Sequence, residues 1–184
     1  MGRIEQLAEK YRQHVSLPWQ QTVAGAQRVI LVIYDKELER ALLARKQLFE
    51  LATRETGHEW FEVDIADSFA QWMAEGEYRD AYFESPDDLQ LKLDSEFAEY
   101  VAARIRETLE KAEGTSVAAV FGVGSLFGFA RASRVLKLIE PYIRGRLVVF
   151  FPGVYDQNNY RLLDARDGWN YLAVPITVHS HGGY

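Results

Sequence analysis

The chain has 184 residues, 48% of them hydrophobic and none of them cysteine, and its formal net charge is −6. This composition supports a buried core of ordinary domain size and excludes a disulfide framework, a cysteine-ligated metal centre and thiol catalysis. The net negative charge gives no general attraction for nucleic acid, no stretch reads as a signal peptide or a membrane span, and a cytoplasmic protein is expected.

Ile4, Leu7, Ala8 and Tyr11 recur at helical spacing and predict an amphipathic helix over residues 1–14. Pro18 and Gly25 then punctuate a loop, SLPWQQTVAGAQ. RVILVIYD (28–35) is a continuous apolar run rich in β-branched residues, the pattern of a strand buried on both faces. Leu38, Leu42, Arg45, Phe49 and Ala52 predict a helix, with Gly57 placed to stop it. HEWFEVDI (58–65) reads as a second strand, and Asp67 or Ser68 as the cap of a short helix carrying Phe69, Trp72 and Met73. Leu89, Leu93, Phe97, Val101, Ile105 and Leu109 mark one long helix with a narrow apolar face, ended by Gly114.

SVAAVFGV (116–123) and RLVVFFPG (146–153) are the third and fourth strands. The helix between them uses Val135, Leu136 and Ile139, and Pro141 distorts its end. YRLLDARDGWNYLAVPI (160–176) places a polar turn between two apolar runs and predicts a hairpin, and residues 177–184 read as a flexible tail. Strands alternating with helical segments predict one α/β domain over 1–184. It would be three-layered and Rossmann-like, with a mostly parallel sheet, akin to a degenerate P-loop domain without Walker motifs. Several strand orders share this succession of elements.

Charge is distributed unevenly. Residues 62–99 hold twelve acids against Arg79 and Lys92, whereas residues 128–146 hold Arg131, Arg134, Lys137, Arg144 and Arg146 against Glu140 alone. Such asymmetry can steer a partner, or can reflect two solvated faces.

The sharpest local signal is FGVGSLFGFARASRVL (121–136). Gly122, Gly124 and Gly128 are spaced GxGxxxG, which is not the dinucleotide fingerprint, and no lysine follows until Lys137, which is not a nucleotide-hydrolysing phosphate loop. Three readings remain: a tight strand exit with close helix packing, a protein-contact loop, or a small anion site using Ser125, Arg131 and Arg134. Phe121, Phe127 and Phe129 flank these glycines, and Phe150, Phe151, Tyr155 and Tyr160 follow the next strand. If the two strands are neighbours, both loops reach the same sheet edge. The candidate partner or anion surface is therefore Gly122, Gly124, Ser125, Phe127, Gly128, Arg131, Arg134, Phe151 and Tyr155.

Other chemistry is weakly supported. His179 and His181 lack a third ligand, His14 and His58 have no evident nucleophile, and Ser16, Ser125 and Ser133 lack the G-x-S-x-G context. Asp35, Asp64 and Asp156 stand at predicted strand ends, where acids bind magnesium or simply cap strands in water. No catalytic constellation, metal site or cofactor is expected. The arginine-rich stretch could neutralise a few phosphates, but no known reader motif accompanies it.

The segments HVSLPWQQTVAGAQRVILVIYDKE, HEWFEVDIADSFAQWM, FGVGSLFGFARASRVL and GRLVVFFPG, in this order and spacing, resemble the BrxB family of BREX phage-defence systems. The resemblance implies a component without an established catalytic activity, encoded beside an AAA+ ATPase, an alkaline-phosphatase-like protein and a DNA methyltransferase. It therefore implies a non-catalytic adaptor or scaffold whose partners are other BREX proteins, most directly the phosphatase-like protein and the ATPase. It transfers no active-site motif. The alternatives from the residues themselves are a nucleotide- or anion-sensing regulatory domain and an accessory DNA-binding subunit.

Overall fold

The computed structural model describes residues 2–76, 84–165 and 168–178. Its centre is β1 (Val29–Tyr34), six consecutive apolar residues that are all buried. An uninterrupted apolar strand of this kind needs cover on both faces, and its place in the sheet supplies it. β1 runs parallel to β4 (Arg146–Asp156) on one side and to β7 (Val174–Ile176) on the other. β3 (Ser116–Phe121) and then β2 (Glu59–Asp64) continue the parallel sheet beyond β4, giving the order β2-β3-β4-β1-β7. β2 forms one end of this order, and its exposed Glu59, Glu62 and Asp64 put carboxylates along that end. Such charges discourage pairing with a foreign strand.

Alternate strand residues feed two separate cores. Leu31, Val120, Leu147 and Val149 point to one face, and Ile30, Val32, Val117 and Val148 to the other. The second face is covered by α1 (Arg3–Val15) and α3 (Gln47–Glu55), with α2 (Glu39–Ala44) adding Leu42. The first face is covered by α6 (Ala98–Lys111) and α7 (Ala132–Ile139), with α5 (Pro86–Lys92) leading in and α4 (Ser68–Glu75) alongside. The result is an α/β arrangement of helix, sheet and helix layers, with the expected parallel core.

Three expected boundaries change, each for a local reason. The helix predicted from Leu38 to Ala52 is two helices, because Arg45 leaves helical geometry at φ −122°. The long helix marked from Leu89 to Leu109 contains a π-helical segment, Leu93–Phe97, which still buries both of its apolar ends. β4 extends beyond Gly153 to Asp156 and folds back into β5 (Asn159–Leu162) through Gln157 and Asn158, at φ 46° and 66°. Two successive positive φ values match the twist of a tight hairpin. β5 then pairs with β6 (Trp169–Asn170), the hairpin expected for residues 160–176. β1 exits into Asp35 and a 3-10 turn, Lys36–Leu38, with no glycine-rich loop. Only Thr177 and Val178 of the expected tail fall within the described residues.

Candidate functional site

β3 and β4 are neighbours, so the loops after them share the C-terminal edge of the sheet. Gly122 leaves β3 at φ 84°, where an added Cβ would lie 2.5 Å from Asp64 Oδ1 and 2.6 Å from the Ala66 nitrogen. The turn is thus pressed against the loop after β2, and only glycine allows both the left-handed backbone and the approach. A 3-10 turn follows, Val123–Leu126, in which the Ser125 hydroxyl donates to the Gly122 carbonyl at 2.6 Å. An added Cβ on Gly124 would meet Pro152 of β4 at 3.3 Å. Gly122, Gly124 and Ser125 therefore spend their geometry inside the fold.

The second half of the loop turns outward. Gly128 sits at φ 81° with open space around it, and the adjacent Phe127 is 46% exposed. Arg131 occupies the N-cap position of α7, and Arg131, Arg134 and Lys137 are all exposed at successive three-residue steps. Among the described residues, none of the three has a side-chain hydrogen bond or an ion pair. Glu140, the only acid near them in the sequence, accepts a hydrogen bond from the Tyr171 hydroxyl. Burial and that carboxylate push the Tyr171 phenol above its ordinary range.

The aromatic surface is smaller than the sequence suggests. Phe151 is fully buried, edge-on to Tyr160 and Trp169, and does not belong to any surface. Phe121, Phe150 and Tyr160 are likewise buried, and Phe129 stacks on Phe69 at 4.2 Å. Tyr155 is half-buried, its hydroxyl donating to Asn158 Oδ1 at 3.1 Å. Sequence reasoning missed Trp169, which the β5–β6 hairpin carries to a groove of about 330 Å³ facing Phe127, Gly128 and Arg131. The signal lay in the Gln157–Asn158 turn, which folds β5 back along β4 and so places β6 beside it.

A second cavity, about 240 Å³, opens at the ends of β1, β4 and β7. The chain leaving β1 covers one face through α2 and α3, while the chain leaving β4 packs β5 against the other. That divergence makes a topological switch point, the usual crevice for ligands in open α/β sheets. Arg3 Nη1 bonds Asp35 Oδ2 there at 2.8 Å, beside Gly153, Tyr155 and Thr177. Lys36 pairs with Asp164 nearby. Tyr34, also lining the crevice, donates to Glu39, and burial followed by that carboxylate pushes its pKa above the ordinary phenol range.

The three strand-end acids are separated by use. Asp35 pairs with Arg3, Asp64 accepts from the Ala66 nitrogen at 2.9 Å, and Asp156 stands opposite Asn159 in the hairpin. Among the described residues, no group of three or more His, Cys, Asp or Glu could hold a metal ion. His58 uses Nδ1 to donate to the Thr115 carbonyl at 2.8 Å and stacks on Trp19. Burial, then the charge of Arg146, pushes the His14 imidazole below its ordinary value. His179 and His181 lie outside the described residues.

The family described as "BREX protein BrxB" matches residues 63–176. That span contains the glycine loop, α7 and the β5–β6 hairpin, and it leaves Arg3 and Asp35 outside. No curated protein and no solved structure matches the chain. No helix among the described residues is long and apolar enough to cross a membrane.

Proposed function

The chain belongs to the BrxB family of BREX phage-defence systems, and from that premise we propose that it is a non-catalytic adaptor that holds other BREX proteins together. The observation that carries this reading is the row of exposed Arg131, Arg134 and Lys137, without a side-chain partner among the described residues, beside the exposed ring of Phe127. Exposed cations next to an exposed aromatic are the residue types that anchor protein interfaces. The partners are other proteins of the same system, first an alkaline-phosphatase-like protein and an AAA+ ATPase. Affinity purification of the tagged chain from cells expressing its own BREX neighbours tests this reading. Recovery of one of those proteins through salt washes is the expected result; recovery of the chain alone overturns it.

A second reading is favoured by the crevice at the switch point. In it the chain also senses a small phosphorylated ligand, with Arg3 taking the phosphate and Asp35 accepting from hydroxyls. In this reading the sensing role lies away from the glycine loop, where the Ser125 hydroxyl and the Ser125 and Phe127 backbone N–H groups already donate within the loop. Calorimetry with nucleoside monophosphates and inorganic phosphate should give saturable heat that Arg3→Ala removes. No saturable heat at millimolar ligand excludes it.

A further inference from the structure

We infer that the groove between the glycine loop and the β5–β6 hairpin receives a short acidic segment of a partner protein, anchored by one aromatic or large aliphatic side chain. The inference rests on the adaptor reading and adds the chemistry of what docks. Phe127, Leu162, Ala165 and Trp169 wall the groove, with Arg131 and Ser133 along its rim. The Trp169 ring is held 5.3 Å from Tyr160 and 5.1 Å from Tyr171, so this wall is set before any partner arrives. A pre-set apolar slot of about 330 Å³ suits a single buried anchor, the arrangement in which a few residues supply most of an interface's energy.

The rim decides the sign of the occupant. Arg3, Lys36, Lys46 and Arg104 each meet a carboxylate of the chain, whereas Arg131, Arg134 and Lys137 meet none among the described residues. Glu140 stands at the far end of α7, where it accepts from the Tyr171 hydroxyl, and it forms no ion pair with any of the three. The result is a local positive field on a chain of net charge −6, and its complement is an acidic segment. An extended nucleic-acid backbone, by contrast, would meet the repulsion of the whole molecule.

The probe is a labelled peptide, Asp-Asp-Phe-Glu-Glu, titrated against the full chain and followed by fluorescence anisotropy. Controls are the same peptide with alanine for its phenylalanine, the lysine counterpart Lys-Lys-Phe-Lys-Lys, and an oligo-dT strand. Saturable binding of the acidic peptide is expected. It should weaken at least tenfold when its phenylalanine is removed, in the double variant Arg131→Glu/Arg134→Glu, and in Phe127→Ala. Phe127 is exposed, so its loss leaves the core intact, whereas Trp169 is part of the aromatic cluster and is left unchanged. No saturable binding, indifference to the double variant, or preference for the lysine peptide or oligo-dT overturns the inference. Failure of the peptide while a native complex still co-purifies removes this occupant and leaves the adaptor reading standing. Peptide binding without any native complex does the reverse.

Discussion

Gly122 and Gly128 hold nearly the same backbone angle, φ 84° and 81°, and differ in what surrounds them. A side chain at Gly128 meets nothing within 4 Å, so Gly128→Ala should cost only the left-handed strain, about 1 kcal/mol. Gly122→Ala adds a collision with Asp64 and the Ala66 backbone, and should cost about 3 kcal/mol. Urea unfolding of the two variants separates the terms, and equal losses would refute the close approach at Gly122. The pair also shows what one sequence conceals. The spacing GxGxxxG marks three special positions but does not say that two serve packing and the third turns the chain toward solvent.

At the scale of elements, buried phenols tie helices and strands to their neighbours. Thr53 Oγ1 donates its one proton to the Phe49 carbonyl at 2.8 Å, so the Tyr11 hydroxyl must be the donor in its 2.6 Å bond to Thr53, fastening α1 to α3. Tyr34 links β1 to the first turn of α2 through Glu39, and Tyr171 links the hairpin to the end of α7 through Glu140. Burial raises the pKa of all three above the ordinary phenol value of 10.0. A folded state that holds these protons more tightly than the unfolded chain keeps its full stability below that value and loses it as pH rises beyond it. The urea midpoint should therefore fall steeply on the alkaline side of 10.0, and Tyr11→Phe should shallow the fall while costing about 1 kcal/mol at neutral pH. An unchanged slope in Tyr11→Phe would show that its phenol is not buried in this way. These links join residues 42, 5 and 31 positions apart, and periodicity contains no information about them. The strands themselves were legible because VILVIY, SVAAVF and RLVVFF must be covered on both faces wherever they go. The break at Arg45 and the π-helical segment at Leu93–Phe97 were not, since both keep the apolar residues on the same side.

Across the whole molecule, the layered sheet brings the glycine loop, α7 and the β5–β6 hairpin to one region and leaves α1, α2 and α3 on the other face. The candidate surface was half legible: Phe127, Arg131 and Arg134 stood out from composition, Phe151 went to the core, and Trp169 arrived only through hairpin pairing. If the chain is an adaptor working through this region, charge reversal must matter by place and not merely by amount. The most direct measurement is the recovery of BREX partner proteins with tagged wild-type chain, with Arg131→Glu/Arg134→Glu, and with Arg40→Glu, which reverses an exposed cation on α2 across the sheet. An adaptor working through this surface should lose at least tenfold of its partner in the double variant, with folding unchanged, and keep wild-type recovery in Arg40→Glu. Full recovery with the double variant, or equal losses from both, would contradict that role.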